Sequence, residues 1–284
     1  MADAVTRTPS EVGAQRGLGA FAAGQGPSIV VENVSKTYET RGGSVEAVRE
    51  SSFDVKDGEF VALVGPSGCG KSTILQICAG LIPSDGGSVV VGGVEAQPGR
   101  REVGIMFQAP VLLPWRTVTE NVLLPTEVFG IGKKEALKRA RELLELVGLQ
   151  GFEDKYPWEL SGGMQQRASL ARVLVYDPDI LLMDEPFAAL DEFTRERLNL
   201  ELARIHESLG RTVLYVTHNI QEAVFLSDRV VVMKPHPGEV LDIIPTGLPR
   251  PRQFEVLEEQ RTVDLVIKIR RMLFADGPPE ADRE

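Results

Sequence analysis

The sequence predicts an α/β fold whose core is a parallel sheet, and three observations carry that reading. Ile180-Leu181-Leu182-Met183, Thr212-Val213-Leu214-Tyr215-Val216 and Val230-Val231-Val232-Met233 are apolar runs without alternation, the pattern of strands buried on both faces. Helical stretches separate the first run from the second and the second from the third, so strands joined by crossover helices are expected. Phe60-Val61-Ala62-Leu63-Val64 leads through a glycine-rich turn into a stretch from Lys71 to Ala79 that reads as a helix stopped by Gly80.

The remaining elements follow in chain order. Residues 1 to about 27 have no apolar periodicity, end in Gly26-Pro27 and read as a mobile leader. Order is expected from Ile29: Ile29-Val30-Val31 and Phe53-Asp54-Val55 read as strands, with Arg41-Gly42-Gly43-Ser44 as a turn, which makes an antiparallel β-rich entry. From Thr117 to Tyr176 the pattern is helical. Leu137, Ala140, Leu144 and Val147 share one face and Gly148 follows as a C-cap, so a helical insert over about 110–176 is expected within a unit spanning 28–245. A C-terminal extension over 246–284 holds one more helical stretch near Leu257 to Leu273, then an acidic tail, Asp276-Gly277-Pro278-Pro279-Glu280, that reads as disordered.

Composition removes several function classes. At 284 residues the chain has room for two ordinary domains or one large one with a subdomain. Its 43% hydrophobic and 25% charged residues are those of a globular chain. The net charge of −10 argues against broad binding to nucleic acid or anionic lipid. Cys69 and Cys78 are too few for a disulfide framework or a paired-cysteine metal site, and point to a reducing cytosol. No apolar stretch approaches the roughly 18 residues of a membrane span, and no basic head with an apolar stretch opens the chain.

The chemistry concentrates in a few places. Gly65-Pro66-Ser67-Gly68-Cys69-Gly70-Lys71-Ser72, with Thr73 next, fits G-x-x-x-x-G-K-[ST] between a strand and a helix. Glycines there let backbone N–H groups turn inward around phosphate oxygens, and the helix N-terminus adds positive potential. In that pattern Lys71 is expected to reach the terminal phosphates and Ser72 to hold Mg²⁺. A second metal carboxylate is best carried at the end of a neighbouring buried strand, where Asp184 stands. Glu185 follows at once and is placed to polarise a water for attack on the γ-phosphate. Leu160-Ser161-Gly162-Gly163-Met164-Gln165-Gln166-Arg167 opens another helix with a second anion-binding turn.

With these motifs the chain resembles an ABC (ATP-binding cassette) ATPase over about residues 29 to 235, Met164-Gln165 standing where a single Gln commonly follows the two glycines. The resemblance implies a P-loop NTPase fold and a head-to-tail dimer with a second copy. In it Ser161, Gly162 and Gly163 of one chain close over the nucleotide on the phosphate loop of the other. It implies that Tyr38 stacks on adenine, with a strand aromatic packed in the core as the other reading. Gln108 matches the glutamine that touches Mg²⁺ and the attacking water, Ala189-Leu190-Asp191 the loop coupling the paired sites, and His218 the histidine that contacts the γ-phosphate. His206 and His236 match no motif and are read as lying on a solvated helix and in a loop. Cys69 is read as a packing residue whose thiol makes the site oxidisable.

The function implied is ATP hydrolysis driving a bacterial importer, at the cytoplasmic face of the inner membrane, as a peripheral subunit. Its expected partners are two transmembrane permease subunits and, indirectly, an extracytoplasmic substrate-binding protein, with no nucleic acid. The exposed-looking loop Ala109-Pro110-Val111-Leu112-Leu113-Pro114-Trp115 is the expected contact with the permeases; burial inside the helical insert is the other reading. That loop, Asp184-Glu185-Pro186-Phe187-Ala188-Ala189-Leu190-Asp191 and Pro235-His236-Pro237-Gly238 resemble the nitrate/sulfonate/taurine importer class. A non-transport cassette of DNA repair, chromosome organisation or translation is the alternative. Against it, Lys71 and Ser161 are 90 residues apart with no coiled coil or cysteine cluster between them, and there is one cassette. Glu185 and His218 together disfavour a cassette that only clamps ATP.

Overall fold

Fourteen-residue β1 (Pro27–Thr40) and β2 (Gly43–Lys56) pair antiparallel around the Arg41-Gly42 turn. The computed structural model describes residues 27–274, so the leader and the acidic tail lie outside the described residues. The first strand starts two residues before Ile29. β4 (Gly86–Val91) pairs with β1, and the short β5 (Val94–Glu95) completes a four-stranded antiparallel sheet in the order β2-β1-β4-β5. None of β4, β5 and β6 (Val103–Met106) was anticipated from the sequence. They are short and carry glycine within or beside them, and give little periodicity.

The second sheet holds the site. β3 (Phe60–Val64), β6, β7 (Ile180–Asp184), β8 (Thr212–Thr217), β9 (Arg229–Lys234) and β10 (Glu239–Pro245) run in the order β10-β9-β3-β8-β7-β6. All neighbours are parallel except the edge pair β9–β10. Every residue of β3 and β8 is buried, which explains the missing alternation. Phe60, Ala62 and Val64 face one core cluster while Val61 and Leu63 face another. Each fully buried Phe, Val or Leu among them contributes about 1.5–3 kcal/mol.

Helices cover both faces. α1 (Lys71–Cys78) packs on the side shared with the antiparallel sheet. α2 (Val118–Val128), α3 (Lys133–Leu146) and α4 (Gly162–Leu174) pack on one another, with α5 (Glu192–Leu209), α6 (Ile220–Leu226) and α7 (Gln260–Leu273) on the same side of the sheet. α2 is started by a capping box, Thr117 with Glu120. The buried seam of α3 is Ala136, Ala140, Leu143 and Leu144, with Leu137 at its margin. Among the described residues no helix is long and apolar enough to cross a membrane.

His206 departs from the sequence reading. It lies on α5 but is buried, its ring edge-on to Phe60 and its Nε2 3.2 Å from the Gly58 carbonyl oxygen. Leu198, Leu202, Ile205 and His206 form one buried stripe at helical spacing. The segment after β10 is clasped to the same region: Arg250 donates to Asp228 and to the Leu226 carbonyl, and the buried Arg252 donates to the Ser227 and Pro249 carbonyls.

Candidate nucleotide site

Four of the segments singled out in sequence converge where the parallel strands end. The phosphate loop follows β3, Gln108 follows β6, Asp184 closes β7 with Glu185 beside it, and His218 follows β8. Ligands in open parallel sheets bind at this carboxyl edge.

The phosphate loop is shaped by its glycines and by what packs behind them. Gly70 is the residue before α1 and takes φ 84°, leaving the helix start without a side-chain cap, so its first N–H groups are available to an anion. A Cβ there would lie 2.6 Å from the Ala47 carbonyl oxygen, so glycine is required for space as well as for conformation. Gly238, in the turn between β9 and β10, presses on the loop from another side. Its Cβ would lie 2.2 Å from the Cys69 carbonyl oxygen, while its own N–H donates to Ala47 O at 3.1 Å. In sequence Gly238 was only a class marker; nothing local to it signalled contact with residue 69.

Lys71 is buried and its Nζ donates to the carbonyls of Gly65 and Pro66 at 2.8 and 2.9 Å. Cys69 is buried in the loop, and burial pushes its thiol up despite the nearby Lys71 ammonium. That makes it a packing residue and a poor nucleophile. Tyr38 is 37% exposed, so it is not a core aromatic, and its hydroxyl lies 3.4 Å from Thr73 Oγ1. Lys36 Nζ stands 5.9 Å from the centre of its ring.

The acidic half is joined to the loop. Ser72 Oγ donates to Asp184 Oδ1 at 2.8 Å. Burial pushes the Asp184 carboxyl up; the Ser72 hydrogen bond opposes this and the neighbouring Glu185 charge adds to it. Glu185 has φ 42°, an uncommon conformation for a residue with a Cβ that takes its side chain out of the strand's alternation. Its Oε2 lies 2.9 Å from His218 Nδ1. The sequence gives these two residues separate roles around the γ-phosphate, and no reason for direct contact.

Gln108 is exposed, and its carbonyl accepts from Gln166 Nε2 at 2.6 Å. Ser161, Gly162 and Gly163 are elsewhere: Ser161 caps α4, accepting from the Met164 N–H at 3.3 Å, and a Cβ on Gly163 would meet Thr194 Cγ2 at 3.0 Å. Among the described residues no hydrogen bond links them to the phosphate loop of the same chain. Asp191 caps α5, and the Thr194 N–H holds its carboxyl below the ordinary range.

A family model described as ABC transporter matches residues 48–188. An uncharacterized ABC transporter ATP-binding protein of Methanocaldococcus jannaschii is 46% identical over 243 residues, 84% of this chain and 91% of that protein. The chain belongs to the ABC transporter ATP-binding proteins. The cassette is also 41% identical to an aliphatic sulfonates import ATP-binding protein of Bacillus cereus, over 79% of this chain and 88% of that one. A solved ATP-binding cassette, described as a dimeric post-hydrolysis state bound to ADP and Pi, superposes with TM-score 0.69 at 34% identity, covering 78% of this chain and all of the other. The cassette is thus a nucleotide-binding ATPase with the P-loop fold.

Proposed function

We propose that this cassette is the ATP-hydrolysing subunit of an importer for a small sulfonate-like solute, peripheral on the cytoplasmic face of the membrane and paired with two permease subunits. One observation carries it: Ser72–Asp184 and Glu185–His218 form two hydrogen-bonded pairs at the carboxyl edge of one sheet, beside the phosphate loop. The importer class is supported by the sulfonate import relative.

The roles follow from position. The phosphate loop from Gly65 to Thr73 wraps the phosphates, Lys71 neutralises their terminal charge, and Tyr38 offers its exposed ring to the base. Ser72 and Asp184 bring a hydroxyl and a carboxylate oxygen to one point, with Gln108 following the neighbouring β6. This all-oxygen set suits Mg²⁺, which takes one or two carboxylates plus phosphate oxygens. Bound there, Mg²⁺ would neutralise charge on the β- and γ-phosphate oxygens. Glu185 accepts a proton from the attacking water, and His218 orients the Glu185 carboxylate through Nδ1 and reaches toward the γ-phosphate. Ser161, Gly162 and Gly163 serve the site of a second copy in a head-to-tail dimer, which accounts for their separation from the phosphate loop of their own chain. Trp115 is 69% exposed, and we assign its loop, at the start of a helical subdomain over about 110–176, to a permease subunit.

Glu185→Gln tests the centre of this reading. It should retain ATP binding, lose steady-state hydrolysis and accumulate an ATP-bound dimer in size-exclusion chromatography; near-normal turnover would refute the base assignment. For the substrate class, the substrate-binding protein that works with this importer should be titrated with alkanesulfonates, and failure to bind any of them would remove the sulfonate reading.

A further inference from the structure

α4 does more than present the signature turn at its N-terminus. Gln166, Ser169 and Arg172 recur every three residues along it, and each is joined to the loop that follows β6. Gln166 Nε2 donates to Gln108 O at 2.6 Å, and Ser169 Oγ donates to Pro110 O at 3.1 Å. Arg172 donates to Val111 O at 2.7 Å and Pro110 O at 2.8 Å, with a further bond to Ser169 Oγ. Three side chains of one helix therefore hold the backbone of Gln108–Val111 by its carbonyls.

Two features set this apart from ordinary packing. Val111 has φ 45°, a strained conformation for a β-branched residue that persists only where its surroundings enforce it. Val111 is 59% exposed, so its own side chain is not what enforces it. The carbonyl of this residue is one of the two that Arg172 grips. Gln166 is buried, and its Oε1 has no partner among the described residues. A half-satisfied buried amide is retained at a cost in stability.

We propose that Gln166, Ser169 and Arg172 are positioning residues for hydrolysis. They form a clamp that holds the Gln108–Val111 backbone against the strain at Val111 and so ties the setting of Gln108 to the position of α4. α4 then links three things: the Ser161 turn at its start, Gln108 in the nucleotide site, and the exposed loop running to Trp115. A partner that moves the loop moves the helix carrying the signature turn.

The role rests on Gln108 serving hydrolysis as proposed above, so the test has an arm independent of catalysis. With full-length dimer, Arg172→Ala should leave the ATP Kd unchanged and lower kcat by about tenfold, because misplacing a positioned group by about 1 Å costs up to about 100-fold. Arg172→Lys, which cannot bridge two carbonyls with a planar fork, should rescue only in part. Adding Val111→Asn, which tolerates positive φ, should return most of the lost turnover, a result that a merely structural Arg172 would not give. Without nucleotide, hydrogen exchange of the Leu113 amide, held on Asn121 Oδ1 at 2.7 Å, should speed up in Arg172→Ala and slow again in the double variant. A double variant no better than the single one, or a Kd that rises in step with the fall in kcat, would overturn the clamp. Wild-type protein without ATPase activity would overturn the functional reading, while the exchange measurement would still report on the clamp.

Discussion

Gly238→Ala should damage nucleotide binding from outside the phosphate loop. The ideal Cβ falls 2.2 Å from the Cys69 carbonyl oxygen and 2.7 Å from that of Ala47. Both are main-chain atoms, so no side chain can rotate away. Cβ contacts under 3.0 Å are essentially never seen, so the loop must retreat by about 0.8 Å. A displacement of that size weakens several N–H to phosphate contacts together; losing the worth of one charge-assisted hydrogen bond, about 1.5–3 kcal/mol, makes ATP binding about tenfold to 100-fold weaker. The overpacking should also cost about 1–3 kcal/mol of stability, a fall in Tm of about 2–10 °C for a chain of this size. Titration with a fluorescent ATP analogue and thermal melting check both. Gly99→Ala is the control: Gly99 has φ 75° but a Cβ there meets nothing within 4 Å, so it should lower Tm and leave Kd alone. A Gly238→Ala protein with wild-type Kd would refute the argument that this turn fixes the loop.

Lys71→Ala should weaken ATP binding, and unchanged affinity by calorimetric titration would contradict the phosphate role. Trp115→Ala should abolish transport in reconstituted complexes while sparing ATP binding; a complex in which Trp115 touches no membrane subunit would dismiss the docking assignment. Burial first, and the Arg250 charge second, hold the His206 pKa below its ordinary value. The unfolded chain therefore takes up a proton as pH falls through about 6.5 while the folded chain does not. The stabilisation His206 gives is complete above that pH and is lost below it, down toward its depressed folded value. Urea melts at pH 7.5 and 5.5 should show a larger loss for wild type than for His206→Gln, and equal losses would refute it.

Much of the candidate site was legible because its motifs are contiguous in sequence. Gly65 to Ser72 carries its own strand, turn and helix signals, and the run Ile180–Met183 announces a buried strand ending in two carboxylates. What stayed hidden depends on contacts between distant segments. Gly238 shapes the loop around Cys69 from 169 residues away, and the hold of Arg172 on Val111 spans 61. Neither leaves a periodic trace. His206 carries a signal that its polarity masks: its spacing from Leu198, Leu202 and Ile205 marks it as inward-facing, while a polar residue outside every motif reads as solvated.

The clasp made by Arg250 and Arg252 bears on how this chain can be cut and recombined. Pro245 ends the last strand, and a sequence reading stops the cassette there. Arg252 is nevertheless 2% exposed, and it satisfies the Ser227 carbonyl just before β9, while Arg250 secures Asp228, whose other oxygen accepts the Phe60 N–H at the start of β3. A truncation or chimera joined at Pro245 removes two guanidinium groups from beneath the central strand and leaves Asp228 without its charge partner. Cassettes exchanged between transporters should therefore be joined beyond Arg252, so that the strand carrying the phosphate loop keeps its own foundation.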